Sequence, residues 1–392
     1  MTKIHLVLSD DWELRGDGSG NVRALQFKTM RQLRQIYEDH GLRGSFNAEV
    51  MQQLNHLKWG EQNLELKALA QEWEQIVRET YSRGHDVQLH VHPQWSKSVY
   101  EDGRWNLEGD WSILRYSGSE IRAILKECKG YLENLLCPLN PEYQCLTFRS
   151  GSWCIAPHDE LLSILAELGI VFDMSICEGL YYTKPVQIDY REIEEGHLPY
   201  YPNMRDARRV ANVTQPLVEV PTHSFTSTTY YNLLTIGYLL LNRVAALRYL
   251  VGQGYAEISD NFMRTPDDTR IIDGGTADGY SKEVWASDRP KTFLNRLPVV
   301  RVLIARQRFT SDISMLTFAQ MEEMFRDIRR RAKRSDSEIV PVMLENHTKD
   351  IGNFKPIERF AAYVAKAPDI EVITSTELAN NLRAGLYKVK TR

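Results

Sequence analysis

Two hydrophobic rhythms take turns along this 392-residue chain. Short apolar runs predict strands, and apolar residues spaced three and four apart predict helices. Ile4 to Leu8 forms the first apolar run and ends in Ser9-Asp10-Asp11. Phe27, Met30, Leu33, Ile36 and Tyr37 then keep helical spacing up to Gly41. Leu42 to Phe46 reads as a second strand. Leu66, Leu69, Trp73, Ile76 and Val77 read as a helix stopped at Gly84. A strand with Val87, Leu89 and Val91 on one face follows. Ser117-x-x-Glu120 has the spacing of a capping box and opens another helix. Cys145 to Phe148 is strand-like, Pro157 and Gly169 bracket a helix, and Ile170 to Met174 is strand-like again.

Beyond residue 180 the rhythm is lost. It resumes with a helix from Phe318 to about Arg334, a strand from Ile339 to Leu344, a helix near Ile357 to Ala365 and a strand from Ile370 to Ile373. Thr374-x-x-Glu377 caps a last helix. Such alternation predicts an α/β fold with a parallel sheet or barrel. The chain divides into a first part (1–180), an insertion or cap of mixed, partly helical character (181–314) and a last part (315–392).

Composition narrows the class only a little. With 43% hydrophobic and 26% charged residues the chain is ordinary for a globular protein. A formal charge of −4 gives no general attraction to nucleic acid or acidic membranes. The five cysteines form no Cys-x-x-Cys pair, which argues against a disulfide framework and a thiolate zinc site. The opening MTKIHLVLSDDWE reads as a strand, not a signal peptide, and predicts a cytoplasmic protein. Tyr231 to Val251 approaches the length of a membrane span but carries Asn232, Asn242, Arg243 and Arg248. Buried charge is costly in lipid, so a buried helix or helical pair is expected, with membrane-surface contact as the alternative.

The candidate chemistry sits where apolar strands end. In parallel α/β folds these ends converge on one mouth. Gln88, His90 and His92 share one strand face, and two imidazoles so placed make a metal-ligand geometry. Asp10 and Asp11 end the first strand, one suited to a metal and the other to a general base, with Glu13 as a competing ligand. Arg149 follows another strand and is placed to orient a carboxylate and depress its pKa. His347 follows the most apolar strand, and histidine titrates near neutrality, which suits a general acid.

In this order the segments resemble the polysaccharide deacetylase (NodB-homology) family, in a divergent branch of the sort associated with surface-polysaccharide biosynthesis (O-antigen or capsule). LSDDWE matches the family's Asp-Asp motif, GHDVQLHVHPQW its Gly-His start and first histidine ligand, FRSGSW its arginine motif, and MLENH loosely its late histidine motif. The resemblance covers residues 1–180 and 315–385. The family's second histidine ligand falls on Gln94 here, and His92 is expected to replace it.

The resemblance implies a distorted, incomplete (β/α) barrel with a long insertion. It implies a hydrolase that removes an N-acyl group, acetyl or formyl, from an amino sugar or glycan. Asp10 would be the base, oriented by Arg149, and His347 the acid. Asp11, His90 and His92 would hold a divalent ion, zinc before others. Tyr181, Tyr182, Tyr200, Tyr201 and Tyr230 either stack on sugar rings or pack the core. Two other classes stay open: a glycosidase with paired carboxylates, or another amidohydrolase, on a related barrel; and a non-catalytic glycan-binding protein with a decayed site.

Overall fold

The computed structural model describes residues 2–227 and 308–392. The apolar segment Tyr231–Val251 and Tyr230 lie outside the described residues. No helix among the described residues is long and apolar enough to cross a membrane.

The labelled elements are, in order, β1 (Lys3–Val7), β2 (Ser9–Trp12), α1 (Thr29–Asp39), β3 (Ser45–Glu49), α2 (Val50–Gly60), α3 (Leu64–Ser82), β4 (Asp86–Val91), α4 (Gly118–Leu136), β5 (Thr147–Ser150), α5 (Leu161–Glu167), β6 (Phe172–Asp173), β7 (Val218–Glu219), α6 (Phe318–Arg334), β8 (Ile339–Met343), α7 (Lys355–Lys366), β9 (Ile370–Val372) and α8 (Ser375–Arg383). A six-stranded parallel sheet runs β7-β6-β5-β4-β3-β2, and a three-stranded parallel sheet runs β8-β1-β9. Isolated parallel bridges, Asp11 to His347 and Thr222 to Met343, link the end of β8 to both flanks of the larger sheet.

Lateral register decides which side chains share a face. Asp10, Phe46 and Val87 are partners across β2, β3 and β4, and Asp11, Asn47 and Gln88 are the next row. Glu49, His90 and Arg149 form a further row. The first row belongs to the side that packs on helices. There Trp12 stacks on Trp73 of α3 with ring centroids 5.3 Å apart. The other rows are polar and wholly buried. Burying so many polar groups is tolerable only where they bond each other or a ligand.

Local signals in the sequence carried through where they were self-contained. Ser117 and Thr374 form capping boxes with Glu120 and Glu377. Gly84 takes φ +87° just beyond α3, the left-handed conformation that glycine adopts without penalty. Helix α2 has no counterpart among the predicted elements. Three expectations are corrected. The strand expected at Leu42–Phe46 lies at Ser45–Glu49. Pro157 does not open α5, which begins at Leu161. Val218–Glu219, inside the stretch read as an insertion, extends the parallel sheet by pairing with β6.

That last pairing creates a buried carboxyl couple. Asp173 and Glu219 are register partners, both fully buried, and hydrogen-bond each other. Ser175 donates to Asp173 from its N–H and its hydroxyl, both at 2.8 Å. Burial pushes Asp173 up to about 6. Burial, and then Asp173 itself, pushes Glu219 well above its usual range. Groups raised in the folded state stabilise it fully below their unfolded pKa, near 4, and lose that contribution as pH rises through the folded value. Wild-type stability to urea is therefore expected to lose this contribution as pH rises from about 4 through about 6, where Asp173 titrates. Glu219→Gln should flatten that loss by on the order of 1–3 kcal/mol. Parallel pH curves for the two proteins would refute the shared-proton account.

Candidate active site

Strand β2 hands its alternate residues to opposite sides. Ser9, Asp11 and, two further on, Glu13 face the polar rows, whereas Asp10 and Trp12 face the helices. Asp11 Oδ1 accepts from Asn47 Nδ2 at 2.8 Å, and its Oδ2 lies 3.5 Å from Arg149 Nη1. Arg149 also donates to the hydroxyls of Ser9 (3.1 Å) and Thr222 (3.3 Å). Burial alone would raise the Asp11 pKa, but Arg149, then His90 and His347, hold it below the ordinary value. Asp11 is thus a buried, ionised carboxylate.

Asp10 is the opposite case. Its Oδ1 accepts from Asn346 Nδ2 at 2.5 Å, and the Tyr37 hydroxyl is its other hydrogen-bonding neighbour. Burial, unrelieved by any cation, raises its pKa well above the usual range. The expectation that Arg149 orients Asp10 as the base is therefore corrected. Arg149 reaches Asp11, because adjacent strand residues point to opposite faces.

His90 and His92 do converge. Their rings meet edge to face with centroids 4.7 Å apart. Glu13 Oε2 sits 2.5 Å from His92 Nε2 and 3.5 Å from His90 Nε2. Glu13, not the expected Asp11, completes a three-residue group able to hold a metal ion. The outer bonds fix the rings. His90 Nδ1 donates to the Arg149 carbonyl at 2.9 Å, leaving Nε2 turned to Glu13. Gln94 Nε2 lies 3.0 Å from both the Gly16 carbonyl and His92 Nδ1, so Gln94 buttresses the site from outside. Gly151 is required by close approach. A Cβ there would stand 2.7 Å from His92 Nδ1 and 2.6 Å from the Val91 carbonyl. The donor set fits a divalent ion: two imidazoles and a carboxylate, all buried, with both Nε2 atoms and Glu13 Oε2 turned toward one another.

His347 lies across from this group. Asp11 N donates to the Asn346 carbonyl at 2.8 Å, which brings the turn after β8 alongside β2. His347 Nε2 is 3.8 Å from Asp11 Oδ2 and 3.9 Å from Glu13 Oε1. Its Nδ1 bonds Asp312 Oδ2 at 2.7 Å and lies 3.4 Å from Glu345 Oε1. Burial would lower its pKa, but Asp312 and Glu345 overcome this and lift it to about 10, so the ring is a cation at neutral pH. Glu345, fully buried, is itself raised to about 8. Asp312, Glu345 and His347 also form a second group of metal-ligand type.

Some participants had no readable signal. Asn47, Lys349 and Asp312 reach the site through tertiary contact, and Asp312 comes from the stretch read as an insertion. The Trp153 ring lies 5.2 Å from the Arg149 guanidinium carbon. Of the tyrosines, Tyr182 donates to the Ser152 carbonyl at 2.6 Å and Tyr200 is fully buried, so both are packing residues here.

No family model matches this sequence, and no curated protein matches it. Solved structures do resemble it in shape. One described as a polysaccharide deacetylase from Mycobacterium smegmatis aligns with TM-score 0.49 at 13% identity, over 100% of this chain and 94% of that one. A probable polysaccharide deacetylase from Pseudomonas aeruginosa PAO1 aligns with TM-score 0.47 at 10% identity, over 98% and 92%. PuuE allantoinase aligns with TM-score 0.46 at 11% identity, over 98% and 91%.

Proposed function

We propose that this chain is a metal-dependent hydrolase that removes an N-acyl group, acetyl or formyl, from an amino sugar or glycan. One observation carries the reading. Glu13 Oε2 faces the Nε2 atoms of both His90 and His92, with an ionised carboxylate (Asp11) and a protonated imidazole (His347) within 4 Å of each other alongside. In the same proposal the two parallel sheets form a distorted, incomplete barrel, and the chain just before α6 returns Asp312 to the site.

Glu13, His90 and His92 would hold the ion, zinc before others. Bound there, such an ion lowers the pKa of water and polarises a carbonyl. Asp11 takes the proton from the attacking water, its charge and direction set by Arg149 and Asn47. The water oxygen bonds to the acyl carbon, and the carbon–nitrogen bond breaks. His347 gives its proton to the departing nitrogen, while Asp312 holds the ring through Nδ1 and stabilises its charge. A carboxylic acid and an amino sugar result. Two oppositely shifted groups facing each other are a general pattern of acid–base assignment.

The purified protein should retain about one divalent ion per chain and release acetate or formate from N-acylated sugars. Glu13→Gln should lose both the ion and the activity. Glycan binding without bound metal or acyl release would instead identify a decayed site.

A further inference from the structure

The carboxylate of Glu13 has two oxygens with different tasks. Oε2 faces the two imidazoles. Oε1 is bonded by Lys349 Nζ at 2.7 Å and lies 3.9 Å from His347 Nε2. Lys349 is not a loose surface cation. It sits in the single 3₁₀ turn Thr348–Asp350, and its side chain is 14% exposed. That turn is sewn to β2 from the backbone. Asp11 N donates to the Asn346 carbonyl, and Thr348 Oγ1 donates to the Asp11 carbonyl at 3.3 Å. The lysine stem thus starts from a fixed point beside the carboxylate it serves.

We propose that Lys349 is a positioning residue for the ion, pinning Oε1 of Glu13 so that only Oε2 is offered for coordination. The inference rests on the metal-site reading above. Without Lys349 the carboxylate would be free to rotate and to present both oxygens. Outer-layer partners of this kind are worth about 10–100-fold in metal affinity. Simple electrostatics predicts the opposite sign, since removing a cation next to a dication site should tighten binding. The two accounts therefore separate cleanly.

The test is titration of the full-length metal-free protein with Zn²⁺ alone, followed by calorimetry, for wild type, Lys349→Met and Lys349→Arg. The expected result is a 10- to 100-fold rise in Kd for Lys349→Met, with most of the affinity restored by arginine, which keeps a donor on Oε1. The Co²⁺-loaded Lys349→Met protein should show weaker visible absorption, because a two-oxygen Glu13 raises the coordination number. Thermal melts of the metal-free proteins identify any folding defect, and the arginine variant carries the comparison should methionine unfold the chain. Unchanged or tighter Zn²⁺ binding by Lys349→Met, or an arginine variant as weak as a folded methionine variant, overturns the positioning role. Wild type that takes up no ion overturns the metal-site reading itself, a different result from equal affinities across the series.

Discussion

Asp11→Asn is expected to lower turnover by roughly 10²–10⁴-fold, the usual contribution of a positioned base, whereas Asp10→Asn should stay near the wild-type rate. The contrast follows from the surroundings of two neighbouring carboxyl groups. Asp11 is held ionised against burial by Arg149, His90 and His347. It stands 3.8 Å from the imidazole assigned as acid. Asp10 is buried on the opposite face with its pKa well raised by burial, and its hydrogen-bonding neighbours are the uncharged side chains of Asn346 and Tyr37. An amide is close in shape and charge to the neutral acid already there. The measurement is steady-state release of acetate or formate by both variants, with bound metal assayed in each. A slow Asp10→Asn and an active Asp11→Asn would invert the assignment and restore Asp10 as the base.

The strand and helix alternation was readable because each element carries its own period, and the capping boxes because their spacing is local. The site was only half readable. His90 and His92 advertise themselves, being two residues apart on one strand. The choice among Asp10, Asp11 and Glu13 depends on which face β2 turns inward, and that is set by its pairing with β3 through Asp11 and Asn47. Nothing in SDDWE fixes that pairing. The polar inner rows also disguised strands. Ser45–Glu49 carries Ser45, Asn47 and Glu49 on its inner side, so the apolar run Leu42 to Phe46 begins three residues before the strand itself. Val218–Glu219 is too short to show any period. Asp312 and Lys349 contribute through contacts that join distant parts of the chain, as the 2.7 Å bonds to His347 and Glu13 illustrate.

Arg149→Met should destabilise the fold by about 3–5 kcal/mol, the cost of leaving a buried charge without its partner. Arg149 is 1% exposed and its guanidinium ties together Asp11 of β2, Ser9 of the same strand and Thr222 beyond β7. Methionine has similar volume and no donors, so the packing against Trp153 is largely kept while Asp11 loses its nearest fixed cation. The pH dependence identifies the mechanism. In wild type the Asp11 pKa is depressed, so its contribution is present above the unfolded value near 4 and lost as pH falls through the folded value. In the variant the same carboxylate becomes a penalty at neutral pH that protonation relieves. The gap in urea stability between the two proteins should therefore be widest near pH 7 and shrink below about pH 4. Arg149→Lys should recover only part of the loss, because one ammonium does not span the three acceptors that the planar guanidinium reaches. A gap that stays constant with pH would assign the defect to lost packing instead, and would remove the reason for regarding Asp11 as charged.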